Sequence, residues 1–177
     1  LHTEREQLGH MVHFIENHDE ARASKSLGNR HAAAATILSV TPGVALYHEG
    51  QLEGRRVRLP VQLNRRPRAD ADESLKAFYA RLLPCAAQAA VREGGFDVPW
   101  VRPAWDGNET HRAIVAILRR QGDARFLAVA NLSDAQAQAW VDLPRGQFPF
   151  PVAVFEDCLQ DVVYVRSVQE LEKVGLY

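Results

Sequence analysis

The spacing of apolar residues changes near Gly94-Gly95, and that change limits what the chain can fold into. Before it, short apolar runs alternate with stretches of helical period; after it, the helical period gives way to a succession of short strand-like runs. Residues 1–93 read as strand, helix, strand, helix. Met11-Val12-His13-Phe14-Ile15 lacks the polar alternation of a solvated face, so the strand over residues 11–16 is expected to be buried on both sides. His31-Ala32-Ala33-Ala34-Ala35-Thr36-Ile37-Leu38 carries a helix over residues 28–39, which Thr41-Pro42-Gly43 stops. Val44-Ala45-Leu46-Tyr47 makes a second strand, and a polar, arginine-bearing connection over residues 49–71 follows. Asp70 or Asp72 then caps a helix whose apolar positions Leu75, Phe78, Tyr79, Leu82 and Leu83 fall at i, i+3, i+4, i+7 and i+8. Pro84 is expected to kink that helix and Gly94-Gly95 to end it. Strands alternating with helices imply parallel βαβ units.

Beyond Gly95 the pattern is different. The apolar runs at 113–118 and 126–130 flank Gln121-Gly122-Asp123, a turn signal that makes them a hairpin. Further runs at 139–143, 152–155 and 162–165 are separated by Pro- and Gly-bearing turns, the spacing of an antiparallel sandwich. The expected fold class is therefore α/β plus all-β, with residues 1–93 and 94–177 as the two parts.

With 177 residues, 46% of them hydrophobic, the chain can build a substantial core. A formal net charge of −1 gives no reason to propose a nucleic acid or an acidic membrane as partner. Arg55-Arg56 and Arg65-Arg66 read as solvated or ion-paired loop residues. The apolar surroundings of Cys85 and Cys158 suggest buried free thiols, which suit a reducing, cytoplasmic compartment. No apolar stretch is long enough to span a bilayer. Trp140 reads as core and Trp105 as an interface residue, and either, like Trp100, offers a flat face on which a ligand ring could stack.

The first strand ends in Phe14-Ile15-Glu16-Asn17-His18-Asp19, and Glu20 and Arg22 extend this charged cluster. In parallel α/β folds the loop after a strand's C-terminal end is where substrates bind. A carboxylate beside an imidazole can accept hydrogen bonds from two hydroxyls of a bound ligand, and Asn17 suits a tight turn. Two other readings compete. The cluster could be an ordinary solvated turn, or His10, His13 and His18 with Asp19 could bind a metal. No recognised metal spacing is present, and His10 and His13 on a strand would point to opposite faces.

The six residues Phe14 to Asp19 resemble the last of the short sequence regions that mark the α-amylase family, glycoside hydrolase family 13. Thr41-Pro42-Gly43-Val44-Ala45-Leu46-Tyr47-His48-Glu49-Gly50-Gln51 is similar to that family's eighth barrel strand and the Gly-Gln after it. Trp105-Asp106-Gly107-Asn108 and the following hairpin are similar to the opening of its C-terminal sandwich. The resemblance implies the C-terminal part of a (β/α)₈ TIM barrel, strands seven and eight over residues 1–93. An antiparallel β-sandwich lacking its final strand then occupies residues 94–177.

The same resemblance implies a retaining glycosidase or transglycosylase acting on an α-glucan or α-glucoside. Its nucleophile and acid/base would lie in the upstream barrel strands of the parent chain. Asp19 would be the carboxylate that stabilises the transition state, His18 a donor to the sugar, Asn17 an orienting residue, and Glu20 and Arg22 acceptor-side contacts. Glu49 and Glu53, on the loop after the second strand, match no catalytic position of the family. No metal or cofactor is assigned to these residues; calcium in the full-length enzyme is left open. The alternative is a non-catalytic glucan-binding or structural module.

Overall fold

A computed structural model describes residues 5–62, 65 and 68–177; residues 1–4 and Arg66 of the second arginine pair lie outside them. The first half begins with α1 (Arg5–Leu8), β1 (Val12–His13) and α2 (Ala23–Ser26). A 3₁₀ turn at Gly28–Arg30 leads into α3 (His31–Val40), followed by β2 (Val44–Ala45), α4 (Glu73–Ala86) and α5 (Ala89–Arg92). The second half comprises β3 (Gly95–Asp97), β4 (Trp100–Pro103), β5 (Ile114–Gln121) and β6 (Ala124–Asn131). It continues with β7 (Ala139–Asp142), β8 (Val152–Asp157), β9 (Val162–Ser167) and α6 (Val168–Val174).

Alanine at four successive positions gives α3 its helical propensity. Proline at 42 ends it by forcing Thr41 into an extended conformation, with φ −69° and ψ 135°. Gly43 is required at the next step. Its φ is +105°, and a Cβ there would lie 2.5 Å from the Leu8 carbonyl oxygen and 2.6 Å from that of Met11. This close approach brings Val44 N–H to the Met11 carbonyl at 3.0 Å, and β2 pairs with β1 in parallel, Val12 opposite Val44 and His13 opposite Ala45.

The strand at 11–16 is shorter than expected and is not buried on both sides. Met11 is 51% exposed, Val12 55% and Val44 61%. Among the described residues β1 and β2 form a sheet of two, so no neighbouring strand covers their outer edges. Of the two candidate caps for α4, Asp72 is used: its side chain accepts from Leu75 N–H at 3.0 Å. The carboxyl is held below its ordinary range by the Ser74 hydroxyl first and that backbone bond second. The helix runs two residues past Pro84, and α5 then intervenes before Gly94. Gly94 packs against the sheet: a Cβ would stand 2.2 Å from the Ala90 carbonyl oxygen and 2.5 Å from that of Arg120.

The second half is antiparallel throughout, divided among three small sheets, β3-β5-β6, β4-β7 and β8-β9. The expected hairpin is β5–β6, in register from Ile114 with Asn131 to Gln121 with Ala124. Val40 of α3 and Val91 of α5 pack on Ile117 and Ala128 of that hairpin, so the two halves share one apolar cluster. A second cluster joins Ala116 to Val141 and Leu143, and a third joins Ala153 to Val168 and Leu171 of α6. Arg102 donates to both carboxylate oxygens of Asp142, at 2.8 and 2.7 Å, and to the Val174 carbonyl at 2.7 Å, tying α6 to β4 and β7. Arg119 is 2% exposed; burial lowers its basicity, and its guanidinium lies over the Phe96 ring at 5.8 Å.

Candidate active site

The charged cluster forms a tight turn beyond β1. The Asn17 side-chain oxygen accepts from the backbone N–H groups of Asp19 and Glu20, at 2.8 and 2.9 Å. Asn17 therefore shapes the turn, as short amides do at such positions. His18 and Asp19 project outward, their side chains 60% and 74% exposed, with Nε2 of His18 3.2 Å from a carboxylate oxygen of Asp19. Glu20 is exposed as well. The connection after β2 returns over this turn, where Arg58 Nε donates to the His18 carbonyl at 3.1 Å. His18, Asp19, Arg58, Pro60, Val61 and Gln62 line a cleft of about 360 Å³.

Arg22 is placed differently from the acceptor-side position expected of it. It is 3% exposed and turns inward to Glu16, which is fully buried, with Nη2 3.0 Å from the Glu16 carboxylate. The other Glu16 oxygen accepts from Ala23 N–H at the start of α2. Arg22 also donates to the Glu49 carbonyl at 2.6 Å and to Nδ1 of His48 at 2.8 Å. An arginine can only donate, so His48 Nδ1 is the acceptor and the ring proton sits on Nε2. The ion pair closes the loop containing residues 17–20 and ties it to the segment after β2. A short apolar run ending in a carboxylate was the one sequence signal for Glu16; nothing local marked Arg22 as its partner.

A second polar layer lies beneath. Tyr79 of α4 and Gln51 are 1% and 0% exposed, and the Gln51 amide donates to the Tyr79 hydroxyl at 2.8 Å. Nε2 of His31 lies 2.8 Å from the same hydroxyl, and Nδ1 lies 3.0 Å from the Ser24 hydroxyl. With Gln51 donating, the Tyr79 proton points to His31 Nε2, and His31 carries its proton on Nδ1 toward Ser24. Both ionisations are disfavoured: burial pushes Tyr79 up and His31 below 6.5. The chain of bonds from Ser24 to Gln51 links α2, α3, α4 and the segment after β2.

The histidine grouping separates. His13 Nε2 donates to the Leu8 carbonyl at 3.0 Å, and His18 lies in the cleft. Among the described residues no group of three or more His, Cys, Asp and Glu side chains is placed to hold a metal ion. No helix among them is long and apolar enough to cross a membrane. Trp105 is 56% and Trp100 71% exposed, while the Trp140 indole donates to the Ala104 carbonyl at 3.2 Å.

No protein-family model matches the chain, and no characterised protein matches it by sequence. Solved structures do. A noncanonic maltogenic α-amylase, AmyB, from Thermotoga neapolitana superposes with a TM-score of 0.71 at 18% identity, over 88% of this chain and 36% of its own. The chain carries part of the α-amylase fold. An α-amylase from Geobacillus thermoleovorans gives a TM-score of 0.63 at 17% identity, covering 89% of this chain and 37% of its own. A debranching enzyme from Nostoc punctiforme gives 0.58 at 16% identity, over 92% and 33%. The chain thus spans about a third of the length of these solved structures.

Proposed function

We propose that the chain is the C-terminal part of an α-amylase-family enzyme that hydrolyses or transfers α-glucosidic bonds with retention of configuration. In this reading residues 1–93 complete a catalytic barrel and residues 94–177 form the sandwich beside it. The observation that carries it is the outward-facing His18–Asp19 pair, held at the end of a parallel strand in a chain with an amylase-like fold.

Retaining glycoside cleavage needs a nucleophilic carboxylate, a second carboxyl that alternates as acid and base, and stabilisation of an oxocarbenium-like transition state. Asp19 suits the third task. It accepts hydrogen bonds from two adjacent sugar hydroxyls, and those bonds tighten as positive charge grows on the ring, which supplies several kcal/mol. His18 presents a ring N–H to the same cleft, while Asn17 sets the turn from which both side chains project. Glu20, exposed beside them, takes the acceptor side; Arg22 acts through Glu16 as a positioning residue. The reading assigns nucleophile and acid/base to sequence outside these 177 residues and routes no step through a cofactor.

The test is Asp19→Asn in the enzyme expressed with its upstream coding sequence. Turnover on soluble starch or a nitrophenyl α-glucoside should fall by several orders of magnitude with the fold intact. Retention of more than about a tenth of the activity, a loss under about 1.4 kcal/mol, would remove Asp19 from this role. The 177-residue chain alone should release no reducing sugar, and release abolished by Asp19→Ala would overturn the division of the catalytic groups.

A further inference from the structure

Both cysteines of the chain are free thiols, and the fold brings them together from its two halves. Cys85 lies on α4 one helical turn beyond Arg81, on the same face. Nη1 of Arg81 donates to the Leu159 carbonyl at 3.3 Å and pairs with the Asp161 carboxylate at 2.6 Å. The Leu159 side chain packs on the cluster of Tyr79 and Leu82. These contacts seat the turn between β8 and β9 on α4, the helix that carries Cys85. The Cys158 thiol donates to the Glu156 carbonyl at 3.9 Å, and the neighbouring Cys158 thiol is one of the groups that perturb Cys85. Cys85 and Cys158 line one cavity of about 700 Å³.

We propose that Cys85 and Cys158 form a reversible disulfide that locks the β8–β9 turn to α4. The two thiols are unequal. Cys158 is exposed, whereas Cys85 is buried, and burial first and its neighbouring thiol second push it up to about 11. Cys158 therefore reacts first, since the thiolate is the nucleophile. With glutathione disulfide as oxidant, the Cys158 thiolate attacks one sulfur, the glutathione S–S bond breaks, and one glutathione thiolate leaves. Cys85 then gives up its proton and attacks Sγ of Cys158. The mixed disulfide breaks and the second glutathione leaves. Two protein thiols have become one S–S bond, and the oxidant has taken up the two electrons and two protons. The link closes the long loop running through β3 to β8, the kind of cross-link that most restricts an unfolded chain.

The test uses the reduced full chain treated with glutathione disulfide under native conditions. Thiol titration should show the loss of both thiols, and intact mass should show a monomer lighter by two hydrogens without a glutathione adduct. Peptide mapping should link the segments containing 85 and 158. The oxidised chain should melt at a higher temperature, and a reducing agent should reverse the shift. Cys85→Ser should arrest the reaction at a glutathione adduct on Cys158. The proposal is overturned if the unaltered chain accumulates that adduct, forms a disulfide between two copies, or keeps both thiols titratable.

Discussion

Replacing Arg22 with methionine removes the guanidinium and keeps most of the side chain's length. Glu16, fully buried, is left without the cation 3.0 Å away, and the Glu49 carbonyl and His48 Nδ1 each lose a donor. Breaking one side of a buried ion pair costs about 3–5 kcal/mol, because the remaining charge has no compensation. With a urea slope of about 2 kcal/mol per molar, the unfolding midpoint should drop by about 1.5–2.5 M. The assay is a urea titration followed by circular dichroism, on Arg22→Met, Glu16→Gln and the double variant. Neutralising Glu16 in the Arg22→Met background should recover part of the loss, since the two side chains are coupled. A midpoint shift under about 0.5 M for Arg22→Met is the size an exposed pair gives, and it would refute the assignment of this pair as the tie between the two loops.

Ile117→Ala empties the cluster shared by α3, α5, β5 and β6 and should cost about 2–5 kcal/mol, with near- and far-ultraviolet signals still lost together in one transition; separate transitions would show two independent cores. Gly94→Ala should destabilise by about 1–3 kcal/mol, since its Cβ meets backbone oxygens on two sides; a thermal melt unchanged from the parent would contradict that packing. Burial holds His31 below 6.5 when folded, so as pH falls through 6.5 the unfolded chain binds a proton that the folded chain refuses. Stability should therefore decline below that pH and level off beneath the depressed value; urea midpoints across this range should show the slope in the parent and lose it in His31→Gln.

The succession β1, α3, β2, α4 was legible because alanine runs, Asp72 and Thr41-Pro42-Gly43 act locally, whereas the one-turn helices α1, α2 and α5 are too short to show a period. The lengths of β1 and β2 were not, since an apolar run becomes strand only as far as a partner's backbone extends. Strands β3 and β4 were hidden by Pro99 and Pro103, which punctuate the run, and α6 by following directly on β9. At the site, Asn17, His18 and Asp19 are neighbours in the chain and share one turn. Glu16 and Arg22 meet His48 and the Glu49 carbonyl only through the tertiary fold, so the burial of Arg22 and Gln51 leaves no mark at their own positions in the chain.

The open pair of β1 and β2 also bears on how stability must be defined. Met11, Val12, Phe14, Val44 and Leu46, in and beside a sheet that among the described residues has two strands only, each expose more than two fifths of their surface. Whatever covers that surface binds the folded chain and not the unfolded one, and so acts as a stabilising ligand. When the cover is another copy of the chain, the unfolding midpoint rises with the logarithm of protein concentration. The free energy of this chain is then a function of how much of it is in the tube, and a single value at one concentration describes an assembly equilibrium as much as a fold.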